Sequence, residues 1–180
     1  MRASWCAAPC HARRRSTGQT ASPKSAEHAI IVRSSITWLD EIIVESLTEH
    51  DKKLVQRSFT HIAPQNEDIA AVFYTRLFEL DPDIEHLFST GLDVQRAKLM
   101  RMMADLVNAL DAPEALSQSM HELGKQHVSY GVHDKHYATV GEALIWALRK
   151  VCPAVMTPTV TQAWEKTYAL FAELAISGAH

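Results

Sequence analysis

Residues 124 to 141, GKQHVSYGVHDKHYATVG, concentrate side chains that can bind a metal or move a proton. Three histidines and two tyrosines lie here between two segments whose apolar residues repeat with a helical period. His127 follows Leu123 by four positions and falls on the apolar face of the preceding segment. A neutral imidazole there can be a metal ligand or a core residue whose N–H is satisfied by a carbonyl. We expect His133 and His136 to be solvated loop residues, with contacts to the acidic groups of a bound cofactor as the alternative.

A mononuclear zinc site is a weaker interpretation of the same histidines. They fall on a helix end and a loop, without a carboxylate or cysteine at a spacing that would complete a tetrahedral ligand set. The pentapeptide HELGK at 121–125 lacks the second histidine of an HExxH motif, because its fifth residue is Lys125.

Two polar side chains earlier in the sequence could act on the other side of a cofactor. Gln95 and Leu99 are four residues apart and share a helical face, and Tyr74 lies on the neighbouring predicted helix. If His127 held a flat, iron-centred ring, an amide and a phenol could donate hydrogen bonds to a diatomic ligand. Taken singly, Gln95 also suits a surface, Tyr74 the edge of a core, and Phe88 a plain core.

Helices must position these residues. From residue 47 onward the apolar period is helical, and no segment of four or more residues alternates as a strand would. Thr48 and Asn66 are the expected N-caps of the first two helices, which Pro64 separates. A later helix should run from about 134 to 151, and Pro158 should lie near the first turn of the last one. The sequence predicts an all-α fold of six to seven helices.

Length and charge favour one folded domain. Residues 1–35 carry six basic residues and one acidic residue, so residues 36–180 carry 12 basic and 20 acidic residues and a net charge of −8. We predict that residues 1–46 are a disordered extension or an over-long gene start, translation beginning at Val44, and that residues 47–178 form the domain. The acidic balance does not suggest a nucleic-acid partner.

Neither a membrane nor a disulfide framework is expected. No window approaches the roughly 18 apolar residues of a membrane span. The three cysteines, Cys6, Cys10 and Cys152, form no disulfide or zinc pattern, so a cytoplasmic, reducing location is expected.

From about residue 47 to 178 the chain resembles a globin, and within that family it is most similar to bacterial single-domain haemoglobins and the globin part of flavohaemoglobins. The segments that carry the resemblance are, in order, FYTRLF, HLF, QRAKLM, GKQHVSYGV, HYATVGEALI and AWEKTYALFA. No single segment is specific, but their order and spacing are those of a globin without large insertions.

The resemblance implies a globin fold around a haem b group whose iron is bound by His127. It places Phe88 against the porphyrin ring, Gln95 and Tyr74 as donors to a bound ligand, and Leu99 in the wall beside them. The resemblance also implies that two further side chains pack on the histidine's side of the haem, and these are Val140 and Leu144.

The resemblance further matches Tyr137 to a tyrosine that polarises the iron-binding histidine in flavohaemoglobins. Two positions depart from that pattern. The glutamate that completes the network is replaced by Ala179, and the lysine before the histidine is replaced by Gln126. These departures call into question the electron push that favours O–O chemistry, but not reversible ligand binding.

Three functions follow from the resemblance as hypotheses. The first is reversible binding of O2, and also of CO and NO, for oxygen storage, supply or scavenging by a monomer or homodimer. The second is a nitric oxide dioxygenase with Tyr74, Gln95 and Tyr137 as catalytic residues and an external reductase as electron donor, because the sequence has no Gly-rich nucleotide fingerprint. The third is a haem-based gas sensor that acts through a partner.

Overall fold

The computed structural model describes residues 47–88 and 91–179, and its regular structure there is helical. The expectations for residues 1–46 lie outside the described residues. Three short 3-10 turns connect the helices, at Ala63–Gln65, Pro82–Leu87 and Ala109–Asp111. The six α-helices of the described part are α1 (Glu49–Ile62), α2 (Asn66–Leu80), α3 (Leu92–Asn108), α4 (Pro113–Ser129), α5 (Asp134–Val151) and α6 (Pro158–Ala179). The prediction of an all-α fold with six to seven helices is confirmed.

Thr48 caps α1 as the sequence predicts. Its hydroxyl accepts a hydrogen bond from the backbone N–H of Asp51 over 3.1 Å, and the Asp51 carboxylate accepts from the backbone N–H of Thr48 over 3.1 Å. This reciprocal pair satisfies two N–H groups that a helix end would otherwise leave without partners.

The predicted N-cap at Asn66 is wrong. Asn66 has helical dihedral angles, φ −55° and ψ −41°, and is the first residue of α2, while Gln65 occupies the N-cap without a side-chain hydrogen bond. A side-chain cap acts from an extended residue before the helix. Here the chain passes from α1 through the 3-10 turn with nearly continuous helical geometry, so Asn66 has no extended backbone from which to cap.

Helices α4 and α6 cross at very close range because glycine lies at both contact points. A Cβ atom on Gly124 of α4 would lie 1.9 Å from the carbonyl oxygen of Ala175, and one on Gly178 would lie 2.3 Å from the Cα of His121. No larger residue could take either place without moving a backbone, so these glycines set the distance of α4 from α6.

The core is built mainly where α5 packs on α2 and where α6 packs on α1 and α4. Trp164 of α6 is 2% exposed, and its indole N–H donates to the Ser58 hydroxyl of α1 over 2.9 Å. A cavity lined by residues of α2 to α6 remains inside the fold. Among residues 47–88 and 91–179, no helix combines the length and the apolar character required to cross a membrane.

Candidate functional site

The cavity has a volume of about 640 Å³ and is lined mainly by aliphatic and aromatic side chains. Residues of five of the six described helices contribute to its wall, with α1 the exception. Lys98 of α3 is the single Lys, Arg, Asp or Glu side chain in the lining among the described residues. The size and apolar character are those of a site for a small molecule or a cofactor.

The structure brings together all eight residues that the sequence singled out. They come from α2, α3, α4, α5 and the end of the turn before α3, and they all line this one cavity. These residues are Tyr74, Phe88, Gln95, Leu99, His127, Tyr137, Val140 and Leu144.

His127 has one ring nitrogen held by a neighbour. Its Nδ1 lies 3.0 Å from the hydroxyl oxygen of Tyr137, ten residues further along the chain in α5. Burial lowers the pKa of His127, so the ring is neutral at pH 7. If Nδ1 carries the proton and donates it to Tyr137, the lone pair of Nε2 remains available to a metal in the cavity.

Tyr137 is itself held by a residue for which the sequence gave no role. The Tyr168 hydroxyl of α6 donates to the backbone carbonyl of Tyr137 over 2.6 Å. Burial raises the pKa of Tyr137 to about 12, and the nearby charge of Asp134 adds to this effect. The separation of 31 positions between Tyr137 and Tyr168 explains why no local pattern reveals their contact.

On the α3 side of the cavity, the Tyr74 hydroxyl donates to the backbone carbonyl of Gln95 over 3.3 Å. Burial raises the pKa of Tyr74 to about 12, although Arg96 opposes the shift, so the phenol keeps its proton at neutral pH. A bond of 3.3 Å is long for an O–H donor, and a better acceptor in the cavity could compete for this proton.

Aromatic rings fix the position of Tyr74. The Phe88 ring meets it edge to face, with centroids 5.3 Å apart and planes at 81°. Phe73 packs at 4.9 Å and Phe78 at 5.9 Å. Such edge-to-face contacts restrict ring motion, and they hold the phenol at the cavity wall.

The expectation that His136 is a solvated loop residue is wrong. His136 lies in the first turn of α5, is 7% exposed and lines the cavity. His133, by contrast, is exposed. The sequence pattern places both near a helix start but does not show which of them faces inward, because that depends on how α5 packs on α2.

Comparison with known proteins agrees with this geometry. The globin family profile matches residues 71–174, a range that includes all eight site residues predicted from the sequence. The chain is 30% identical over 132 residues to a flavohemoprotein of Xylella fastidiosa, covering 72% of the chain and 33% of that protein. It is also 30% identical over 141 residues to a neuroglobin of Danio rerio, covering 71% of the chain and 89% of that protein.

Solved structures show the same fold. An engineered carbene transferase of Rhodothermus marinus, provisionally named a nitric oxide dioxygenase, superposes with a TM-score of 0.67 at 29% identity and covers 74% of this chain and 94% of that one. A bacterial globin of Campylobacter jejuni superposes with a TM-score of 0.66 at 20% identity, covering 73% and 96% of the two chains.

The chain spans about a third of the length of the flavohemoproteins that it matches and most of the length of the neuroglobins. The family profile covers more than half of the chain. The chain belongs to the globin family, whose members bind haem.

Proposed function

We propose that this globin holds iron protoporphyrin IX, haem b, with His127 as the iron ligand, and that it binds O2 reversibly, and also CO and NO. The observation that carries the proposal is the hydrogen bond of 3.0 Å between His127 Nδ1 and Tyr137. A ring anchored through Nδ1 presents Nε2 to the cavity in a fixed orientation, as metal-binding histidines commonly do.

The residues of the cavity fit a haem group. The aliphatic and aromatic lining suits the porphyrin faces, and Phe88 at the end of the turn before α3 offers a ring for stacking. Lys98 supplies a cation that could pair with the carboxylates of the haem edge. Leu99 on the α3 side and Val140 and Leu144 on the α5 side supply apolar walls.

Haem supplies an iron centre to which a diatomic gas can bind. Tyr74 and Gln95 then decide how firmly the gas is held. The Tyr74 phenol is protonated at neutral pH, and it can turn from the Gln95 carbonyl toward a ligand that carries partial negative charge. The Gln95 side chain lines the same cavity and can donate through its amide. Both residues favour retention of O2, which gains partial negative charge on binding, over CO, which gains little.

A second candidate function is nitric oxide dioxygenation with an external reductase. The contact of Tyr137 with His127 favours it, because a hydrogen bond to Nδ1 makes the imidazole a stronger electron donor. The similarity to the Rhodothermus marinus protein supports it as well. We expect turnover to be slow, since Ala179 stands where the resemblance places a glutamate.

We further propose that the globin domain spans residues 47–178 and that the chain acts in the cytoplasm as a monomer or homodimer. The described helices begin at Glu49 and fill most of that range. Cys152, a buried free thiol, suits a reducing location.

Absorption spectra test the haem proposal. The purified chain, reconstituted with hemin where required, should show an intense Soret band that shifts on reduction and again with O2 or CO. His127→Gly should lose the histidine-ligated spectrum, and added imidazole should restore it, while His61→Gly, an exposed position on α1, should behave as wild type. No Soret band in the wild type after reconstitution would refute the proposal.

A further inference from the structure

The N-terminus of α5 is capped by two histidines. His133 occupies the N-cap, and its backbone N–H donates to Nδ1 of His136 over 3.1 Å. The backbone N–H of His136 donates in return to the His133 side chain. The usual capping box pairs Ser or Thr with Glu or Gln, whose oxygens remain acceptors at neutral and mildly acidic pH.

Imidazole differs from those groups because it accepts a hydrogen bond only through a nitrogen that carries no proton. When the His136 ring is protonated, both of its nitrogens become donors, and the hydrogen bond that it accepts from the His133 N–H is lost. The ordinary histidine pKa is about 6.5, so this change falls within the range of pH that cells and their surroundings reach.

The cap lies one residue before Tyr137, the residue that contacts His127. His136 is 7% exposed and lines the cavity, and the next residue, Tyr137, contacts Nδ1 of His127. Both residues belong to the first turn of α5, which frays when its cap is lost. Tyr168 holds the carbonyl of Tyr137 from α6, so this turn is fixed by Tyr168 and by the two histidines.

Charges around His136 act in both directions. Burial lowers the pKa of His136, and Lys135, His133 and His86 lower it further, while Asp81 at the end of α2 opposes them. Because the folded pKa is below the ordinary value, the neutral, cap-forming state is complete above about pH 6.5 and is lost as pH falls through the lower folded value. The other titratable side chains of the cavity wall are Tyr74, Lys98, His127, Tyr130, Tyr137 and Tyr168.

We propose that His133 and His136 are positioning residues that make the contact of Tyr137 with His127, and with it the retention of haem, sensitive to acid. The inference rests on the proposed haem function. Protonation of His136 removes its cap bond to the His133 N–H, the first turn of α5 loosens, and Tyr137 no longer orients the iron-binding ring.

Hemin transfer from the full 180-residue protein to excess apomyoglobin between pH 8 and pH 5 tests this proposal. The double variant His133→Ser, His136→Gln keeps a capping box of neutral acceptors that do not titrate. His61→Gln, on the exposed surface of α1, is the matched control. We expect transfer to accelerate roughly tenfold between pH 7.5 and pH 5.5 in the wild type and the control, the size of one lost helix cap. The double variant should change by less than about twofold.

A second measurement does not require haem. In the full chain before hemin is added, hydrogen-exchange protection of the His136 and Tyr137 amides should fall with acid in the wild type but not in the double variant. Equal acid acceleration of hemin transfer in both proteins would overturn the proposal. So would slower transfer in acid, because protonated His136 would then pair with the haem carboxylates. If neither the wild type nor any variant forms a Soret band, the proposed haem function is wrong. The hydrogen-exchange data then decide by themselves whether acid opens the cap of α5.

Discussion

At the scale of single residues, environment rather than residue type decides the role of each cavity side chain. Tyr74 and Tyr137 have the same hydroxyl and a pKa of about 12, raised first by burial in both. Tyr74 nevertheless donates to a backbone carbonyl, whereas the Tyr137 hydroxyl contacts the Nδ1 atom of an imidazole that lines the same cavity. Under the proposed function, the first arrangement would act on the bound gas and the second on the iron ligand.

Removing the two donors should speed the loss of O2. One neutral hydrogen bond contributes about 1 kcal/mol, so we expect Tyr74→Phe and Gln95→Leu each to raise the O2 dissociation rate about fivefold and the double variant roughly thirtyfold. Stopped-flow displacement of O2 by CO measures these rates. The control is His61→Gln, at an exposed position of α1 outside the cavity lining, and it should leave the rate unchanged. An unaltered rate in the double variant would rule out the assigned roles.

Removing the Tyr137 hydroxyl should weaken the binding of haem without abolishing it. With Tyr137→Phe, His127 Nδ1 loses its acceptor, and the imidazole becomes a poorer donor. Hemin should dissociate roughly 10- to 100-fold faster, as for other residues that orient a metal ligand, and the iron–histidine stretching frequency should fall. Resonance Raman spectra of the reduced, gas-free protein measure that frequency. Tyr168→Phe keeps the hydroxyl of Tyr137 and should change the iron–histidine stretching frequency less than Tyr137→Phe does.

At the scale of helices, the sequence predicts most element positions but fewer of their contacts. The bounds of α5 follow from its apolar period and its flanking residues, and Thr48 follows from a local capping pattern. The predicted cap at Asn66 is wrong because a 3-10 turn continues the helical geometry up to this residue, and the local sequence pattern does not reveal that turn. The contacts of Tyr74 with Gln95 and of Tyr168 with Tyr137 join residues 21 and 31 positions apart, and they depend on how helices cross.

The close crossing of α4 and α6 should not tolerate a methyl group. We expect Gly124→Ala to destabilise the protein by about 1 to 3 kcal/mol, the usual cost of overpacking, because its Cβ would meet the Ala175 carbonyl. Since His127 is on the same helix, three residues later, hemin should also dissociate faster. Ser119→Ala, at an exposed position of α4, is the control for urea unfolding and hemin transfer. Full stability in Gly124→Ala would mean that α4 can shift freely.

The cap of α1 should make stability depend on acid pH. Burial would raise the pKa of Asp51, but hydrogen bonds from Thr48 and the charge of Lys166 outweigh it, so the folded pKa lies below the ordinary value. The contribution of ionised Asp51 to the free energy of unfolding is therefore complete above about pH 4 and is lost as pH falls through the folded pKa. Asp51→Ala should cost roughly 1 kcal/mol at pH 7. Urea unfolding should show that difference narrowing between pH 4 and pH 3, and a constant gap would contradict the assignment.

At the scale of the whole molecule, the cavity makes folding and haem binding parts of one equilibrium. Five of the six described helices line a space of about 640 Å³, so without haem their inner faces lack packing partners. A ligand that binds the folded state alone stabilises it by about 4 kcal/mol at a thousandfold excess over its Kd. For a domain of this size, about 1 kcal/mol corresponds to a shift of roughly 4 °C in Tm.

We therefore expect removal of haem to lower Tm by roughly 15 °C, measured by circular dichroism on the same preparation before and after extraction. Hydrogen exchange should show the largest loss of protection in α3 and α4, which both line the cavity, and the smallest in α1, which does not line it. His127→Ala should show a smaller difference between its loaded and extracted forms. An equal Tm for both forms of the wild type would mean that the cavity is stable when empty and that the core on α1, α2 and α6 alone maintains the fold.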